Sequence, residues 1–89
     1  MEFHYAYVLY SHKDNKFYIG YSSDVFRRLE QHNNGENTST KHRRPLKLIF
    51  YEAYLYKEDA IRREKYFKTS KGKRALKLML KSTLDKFNL

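Results

Sequence analysis

The sequence predicts an α/β fold of the α+β kind: a three-stranded, mostly antiparallel sheet flanked by helices in the order ββαβαα. Three observations carry that expectation. At 89 residues the chain has room for one domain, residues 1–89, built on one small core. Two runs rich in Tyr, Phe, Val and Ile stand on either side of a short polar turn, and a third follows later, as strands require. Between and after them lie segments whose apolar residues recur at helical spacing.

The elements follow in order. Phe3 to Ser11 (FHYAYVLYS) and Lys16 to Tyr21 (KFYIGY) flank HKDN, where Asp14-Asn15 supplies turn chemistry, so they pair as a β-hairpin. Ser22, Ser23 and Asp24 are N-cap residues for the helix that VFRRLEQH begins. Asn33-Asn34-Gly35 stops it, because Asn and Gly tolerate the left-handed backbone of a helix C-terminus. Residues 36–45 are a polar, basic loop closed by the only proline, and Leu46 to Tyr56 form the third strand. Lys57-Glu58-Asp59 opens a helix reaching about Lys68. A break over Thr69 to Gly72 precedes a last helix from about Lys73 to Lys86.

Composition narrows what such a domain does. Nineteen Lys+Arg against ten Asp+Glu leave a formal charge of +9, and fifteen residues are aromatic. So many aromatics argue for a packed core over a disordered basic chain. With no Cys, neither a disulfide framework nor a thiolate zinc site is available. No apolar run approaches the roughly twenty residues that cross a bilayer, and the first twenty residues lack a signal-peptide pattern. The chain is therefore expected in the cytoplasm, without a membrane partner. The charge is unevenly placed: residues 1–40 carry −1, Lys41 to Lys47 carry +4, and residues 57–89 carry +7. Such an excess attracts phosphate backbones, and Lys41, Arg43, Arg44, Lys71, Lys73 and Arg74 are the residues expected to bind nucleic acid.

Chemistry-bearing residues stand out against this background. In the helix over 57–68, Glu64 falls inside the stripe of Ala60, Ile61 and Phe67, and a carboxylate facing a core needs a cation or a metal. Arg28 and His32 are four apart and project from one side of the first helix, pairing a forked cation with a group that titrates near neutrality. Tyr7 and Tyr18 lie on the paired strands, and Gly20 interrupts the second, as happens where another backbone or a ligand approaches closely.

The spacing of these residues resembles the GIY-YIG endonuclease domain, small stand-alone bacterial type. Tyr5-Ala6-Tyr7 stands for the first motif, keeping its final tyrosine, and Tyr18-Ile19-Gly20 for the second. Arg28 follows Tyr18 by ten residues, His32 comes four later, and Ala60-Ile61-Arg62-Arg63-Glu64 matches the helix that ends on the family's glutamate. The stretches Thr40 to Tyr54 and Glu64 to Leu76 are similar too. Tyr21 replaces a lysine that some members carry, with Lys41 a substitute cation, and no C-terminal Asn stands before Asn88. The resemblance implies a metal-dependent endonuclease acting on DNA, in repair or recombination. Its catalytic set is Tyr7, Tyr18, Arg28, His32 and Glu64, and Glu64 is the ligand of Mg²⁺ or Mn²⁺. Whether Tyr7, Tyr18 or His32 takes the proton from water is left open, as is RNA as the substrate. A partner protein or a homodimer is expected to supply specificity. The alternative is a non-catalytic nucleic-acid-binding module that retains the fold.

Overall fold

The computed structural model describes residues 2–87. Strands β1 (His4–Ser11), β2 (Phe17–Ser22) and β3 (Leu46–Tyr54) form one antiparallel sheet in the order β2-β1-β3. Helix α1 (Val25–Asn33) follows the hairpin, and α2 (Lys57–Phe67), α3 (Ser70–Met79) and α4 (Lys81–Phe87) follow β3. The expected fold class holds.

Central strand β1 is buried from Ala6 to Ser11, because the sheet is covered on both faces. On one face Tyr7 and Leu9 pack with Val25 and Leu46, joined by Tyr18, Leu29 and Leu48. On the other, Val8 and Ile19 meet Phe67, Leu76 and Leu80 from the later helices. The alternation of strand side chains therefore sorts β1 into an α1 face and an α2–α3 face. A register shift between Val8 and Leu9 lets Ile49 bulge from β3.

Asp24 caps α1, accepting a hydrogen bond from the Arg27 amide at 3.1 Å. The helix ends at Asn34, and Gly35 turns the chain with φ +77°. A side chain at Gly35 would also press on the Arg44 guanidinium, 2.9 Å from the position of an added Cβ.

The C-terminal region departs from expectation. The predicted break over Thr69 to Gly72 is instead the capped start of α3, since the Thr69 hydroxyl accepts from the Gly72 amide at 3.0 Å. Gly72 fits the first helical turn because an added Cβ would collide with the Tyr66 carbonyl. The predicted single helix over 73–86 is two, α3 and α4, separated at Leu80, which is turned into the core. Strand β3 stops at Tyr54, two residues early, because Tyr56 already serves as the N-cap of α2. The loop before β3 holds a 3₁₀ turn over Lys41–Arg43. Asn88 lies outside the described residues.

Candidate active site

Gly20 sits opposite Tyr7 in the β1–β2 register, and the Tyr7 ring lies across it. A Cβ at Gly20 would come within 2.5 Å of both Tyr7 Cζ and its hydroxyl oxygen. The glycine thus lets a large ring cross a neighbouring strand, and what comes close is the Tyr7 side chain rather than another backbone or a ligand.

The Tyr7 hydroxyl lies 3.1 Å from His32 Nε2, delivered by the last turn of α1. His32 Nδ1 lies 2.7 Å from the Thr40 hydroxyl. Tyr7 is 2% exposed, and His32 and Thr40 are both 0%, so three polar groups form a buried chain whose only exposed part belongs to Tyr7. Tyr18 closes the cluster: its ring centroid is 4.9 Å from that of His32 and 6.4 Å from that of Tyr7. It remains half-buried and is the ring of the three that meets solvent.

Burial and charge fix the protonation states. Burial, helped by Tyr18 and Glu64 and opposed by Arg28, pushes the Tyr7 phenol well above the ordinary tyrosine value. Burial first, then the positive charge of Arg28, holds His32 below its usual value of 6.5. Near neutral pH both groups are therefore uncharged, and the imidazole presents one N–H and one acceptor nitrogen to its two hydroxyl partners.

Arg28 comes from α1 and Glu64 from α2, and the charges of both act on the Tyr7 hydroxyl. Arg28 forms no ion pair among the described residues and borders a recess of about 200 Å³ with Gln31, Glu36 and Asn37. The Glu64 side chain is 18% exposed, with Oε2 at 3.1 Å from the Lys68 ammonium. No group of three or more metal-ligating side chains is found among the described residues. Glu64 is the carboxylate whose charge acts on Tyr7. That donor set suits a hard cation that keeps most of its waters and uses one carboxylate with substrate phosphates.

Thus Tyr7, Tyr18, Arg28, His32 and Glu64 converge on one locality. The six basic residues expected to bind nucleic acid differ in how their side chains are engaged. Arg43 is clasped by Asp14 at 2.6 Å and donates to the Phe17 carbonyl at 3.1 Å. Arg44 donates to the Lys41 carbonyl at 2.8 Å and to that of Asn33 at 3.4 Å. Lys41, Lys71, Lys73 and Arg74 are exposed and form no ion pair among the described residues. Thr40 was missed by the sequence reading, since an isolated hydroxyl in a polar loop carries no signal. Asn33 was read only as a helix stop, yet its amide also clamps both backbone groups of Leu46, at 2.9 and 3.0 Å.

The chain belongs to the GIY-YIG catalytic domain family, whose profile matches residues 3–77. It is similar to the UPF0213 protein SSP2268 of Staphylococcus saprophyticus, 39% identical over 80 residues, covering 89% of this chain and 96% of that one. The UPF0213 protein YazA of Bacillus subtilis is 44% identical over 66 residues, 73% of this chain and 66% of YazA. Among solved structures, the solution NMR structure of UPF0213 protein BH0048 from Bacillus halodurans is 35% identical. It matches with a TM-score of 0.54 over 86% of this chain and 84% of that one. No helix among the described residues is long and apolar enough to cross a membrane.

Proposed function

We propose that this chain is a cytoplasmic, metal-dependent endonuclease that hydrolyses phosphodiester bonds of DNA, acting in repair or recombination. The observation that supports this best is the buried Tyr7–His32 contact at 3.1 Å, with Arg28 and Glu64 acting on the same hydroxyl. A core tyrosine needs neither a titratable partner nor two opposed charges around it.

The roles follow from the protonation states. The attacking water is held between the Tyr18 and Tyr7 hydroxyls. As it attacks phosphorus, its proton passes to the Tyr7 oxygen while the Tyr7 proton passes to His32 Nε2. The relay ends on the imidazole and never requires a free phenolate. Thr40 accepts from His32 Nδ1–H, which leaves Nε2 as the acceptor. Arg28 balances negative charge on the non-bridging oxygens. Glu64 would hold Mg²⁺ or Mn²⁺, which when bound supplies charge neutralisation at the phosphate and the leaving oxygen. Lys68 then moves off the carboxylate. Lys41, Lys71, Lys73 and Arg74 grip flanking phosphates, while Arg43 and Arg44 chiefly shape the loop that presents Lys41. A partner protein or a homodimer supplies specificity.

A second reading, a binding module without cleavage, draws on the Glu64–Lys68 pair, which satisfies the carboxylate without a metal. Incubating nicked, branched and single-stranded DNA and RNA with Mg²⁺ or Mn²⁺ separates the two. Wild-type cleavage that is lost in Glu64→Ala and sharply reduced in Tyr18→Phe supports the nuclease. Binding without cleavage of any substrate under either metal establishes the module instead, and cleavage that persists in Glu64→Ala overturns the role of Glu64.

A further inference from the structure

A second feature of the molecule lies away from these residues. A cavity of about 400 Å³ opens at the turn end of the hairpin, where Phe17 and Leu84 meet Tyr10. Phe17 and Leu84 belong to the α2–α3 face of the sheet, whereas Tyr7 and Tyr18 pack on the α1 face. Its floor is thus aromatic and aliphatic. Its rim is cationic: Lys73 and Lys77, one turn apart on α3, face Lys16 from the hairpin.

No carboxylate lines this cavity, and none of the three lysines forms an ion pair among the described residues. The nearest acid in sequence, Asp14, is committed to Arg43. Asn15 completes the wall from a left-handed backbone, φ +58°. Its Oδ1 accepts from the Tyr10 hydroxyl at 2.9 Å, which pins the amide and leaves its two N–H donors unused within the described protein. A ligand for this cavity therefore combines a flat apolar body, a carbonyl acceptor and negative charge at its edge.

We propose that the cavity is a binding site for an unpaired nucleobase with its adjacent phosphate, the base against Phe17 and the phosphate among Lys16, Lys73 and Lys77. The volume lies within the usual range for small-ligand pockets, and an aromatic platform beside cations is how single strands are held without sequence preference. The choice of a nucleic acid as the polyanion rests on the functional reading above; the site itself needs no cleavage. Its consequence is a nuclease that anchors a single-stranded segment on the sheet face opposite Tyr7 and Tyr18, which favours substrates with unpaired ends.

The test is made in EDTA, so that binding is read whether or not the protein cuts. A labelled ten-residue thymidine oligonucleotide, an abasic strand of equal length and charge, and thymidine monophosphate are titrated into the isotope-labelled wild-type protein. The oligonucleotide should shift Phe17, Tyr10 and Leu84 signals and bind about fivefold to a hundredfold more tightly than the abasic strand, as stacking implies. Monophosphate acting on the same signals as tightly as the strand identifies a free nucleotide as the ligand; much weaker action identifies the strand. Lys73→Ala/Lys77→Ala, at two exposed positions that leave the core intact, should weaken binding and flatten its salt dependence. Equal affinity for the abasic strand, or shifts that spare the Phe17 ring, overturns the proposal and leaves only diffuse attraction to a basic surface. Cleavage assays on the same protein would be unaffected by that outcome, so the nuclease reading fails or stands separately.

Discussion

Replacing Gly20 with alanine probes the packing on which the site depends. The added Cβ falls 2.5 Å from Tyr7 Cζ and Oη and 2.9 Å from Cε2, whereas carbon contacts settle near about 3.5–4.0 Å. The ring must retreat by about 1 Å, and its 3.1 Å contact with His32 breaks. Overpacking of this kind costs about 1–3 kcal/mol, and loss of the partner to His32 adds about 1 kcal/mol. In a domain of this size each kcal/mol lowers Tm by roughly 4–8 °C. Thermal melts by circular dichroism read the total, and histidine NMR reads the broken contact. The decisive comparison is made in a Tyr7→Ala background. There the obstacle is gone, and Gly20→Ala should become neutral or stabilise the strand by about 0.5–1 kcal/mol. An equal cost in both backgrounds would refute the claim that Gly20 exists to admit the Tyr7 ring.

Other consequences are equally direct. Thr40→Val leaves His32 Nδ1 buried without a partner and should cost about 1–3 kcal/mol in urea unfolding, while Thr40→Ser stays near wild type; ¹⁵N NMR should show a changed imidazole tautomer only in the valine variant. Because the folded His32 pKa lies below 6.5, the unfolded chain binds more protons below that pH. Stability should therefore fall as pH drops from about 6.5 toward the folded pKa, and His32→Gln should remove that part of the slope. Lys68→Ala frees the Glu64 carboxylate and should tighten Mn²⁺ binding by up to about fivefold, the scale of an exposed ion pair, as followed by electron paramagnetic resonance.

Much of this was legible in the sequence, for identifiable reasons. The hairpin and β3 announced themselves through aromatic and β-branched runs, and α1 through Asp24 and the Asn33-Asn34-Gly35 stop. Glu64 was visible as a carboxylate on an apolar stripe, and its 18% exposure agrees with that placement. The division of α3 from α4 was hidden, because Leu80 is buried in the core by tertiary packing and nothing local marks the break. Thr69 falls in the predicted break, yet it caps the next helix. Thr40 was illegible for another reason: its importance comes from a fold that brings a loop hydroxyl under an imidazole eight residues earlier. Charge counting gave Arg43 and Arg44 the same weight as Lys71, although Arg43 is engaged by Asp14 and Phe17 of the hairpin and Arg44 by the Lys41 and Asn33 carbonyls, a distinction that composition cannot make.

The central claim is that the buried Tyr7–His32 pair carries the proton of the attacking water. Single-turnover cleavage of a labelled branched DNA by Tyr7→Phe, with DNA binding measured alongside and folding checked by circular dichroism, tests it most directly. Binding should be unchanged and the rate lowered by about 10²–10⁴-fold, the usual worth of positioned acid–base catalysis. A folded Tyr7→Phe that cuts at the wild-type rate would contradict that claim and return Tyr7 to the role of a core aromatic.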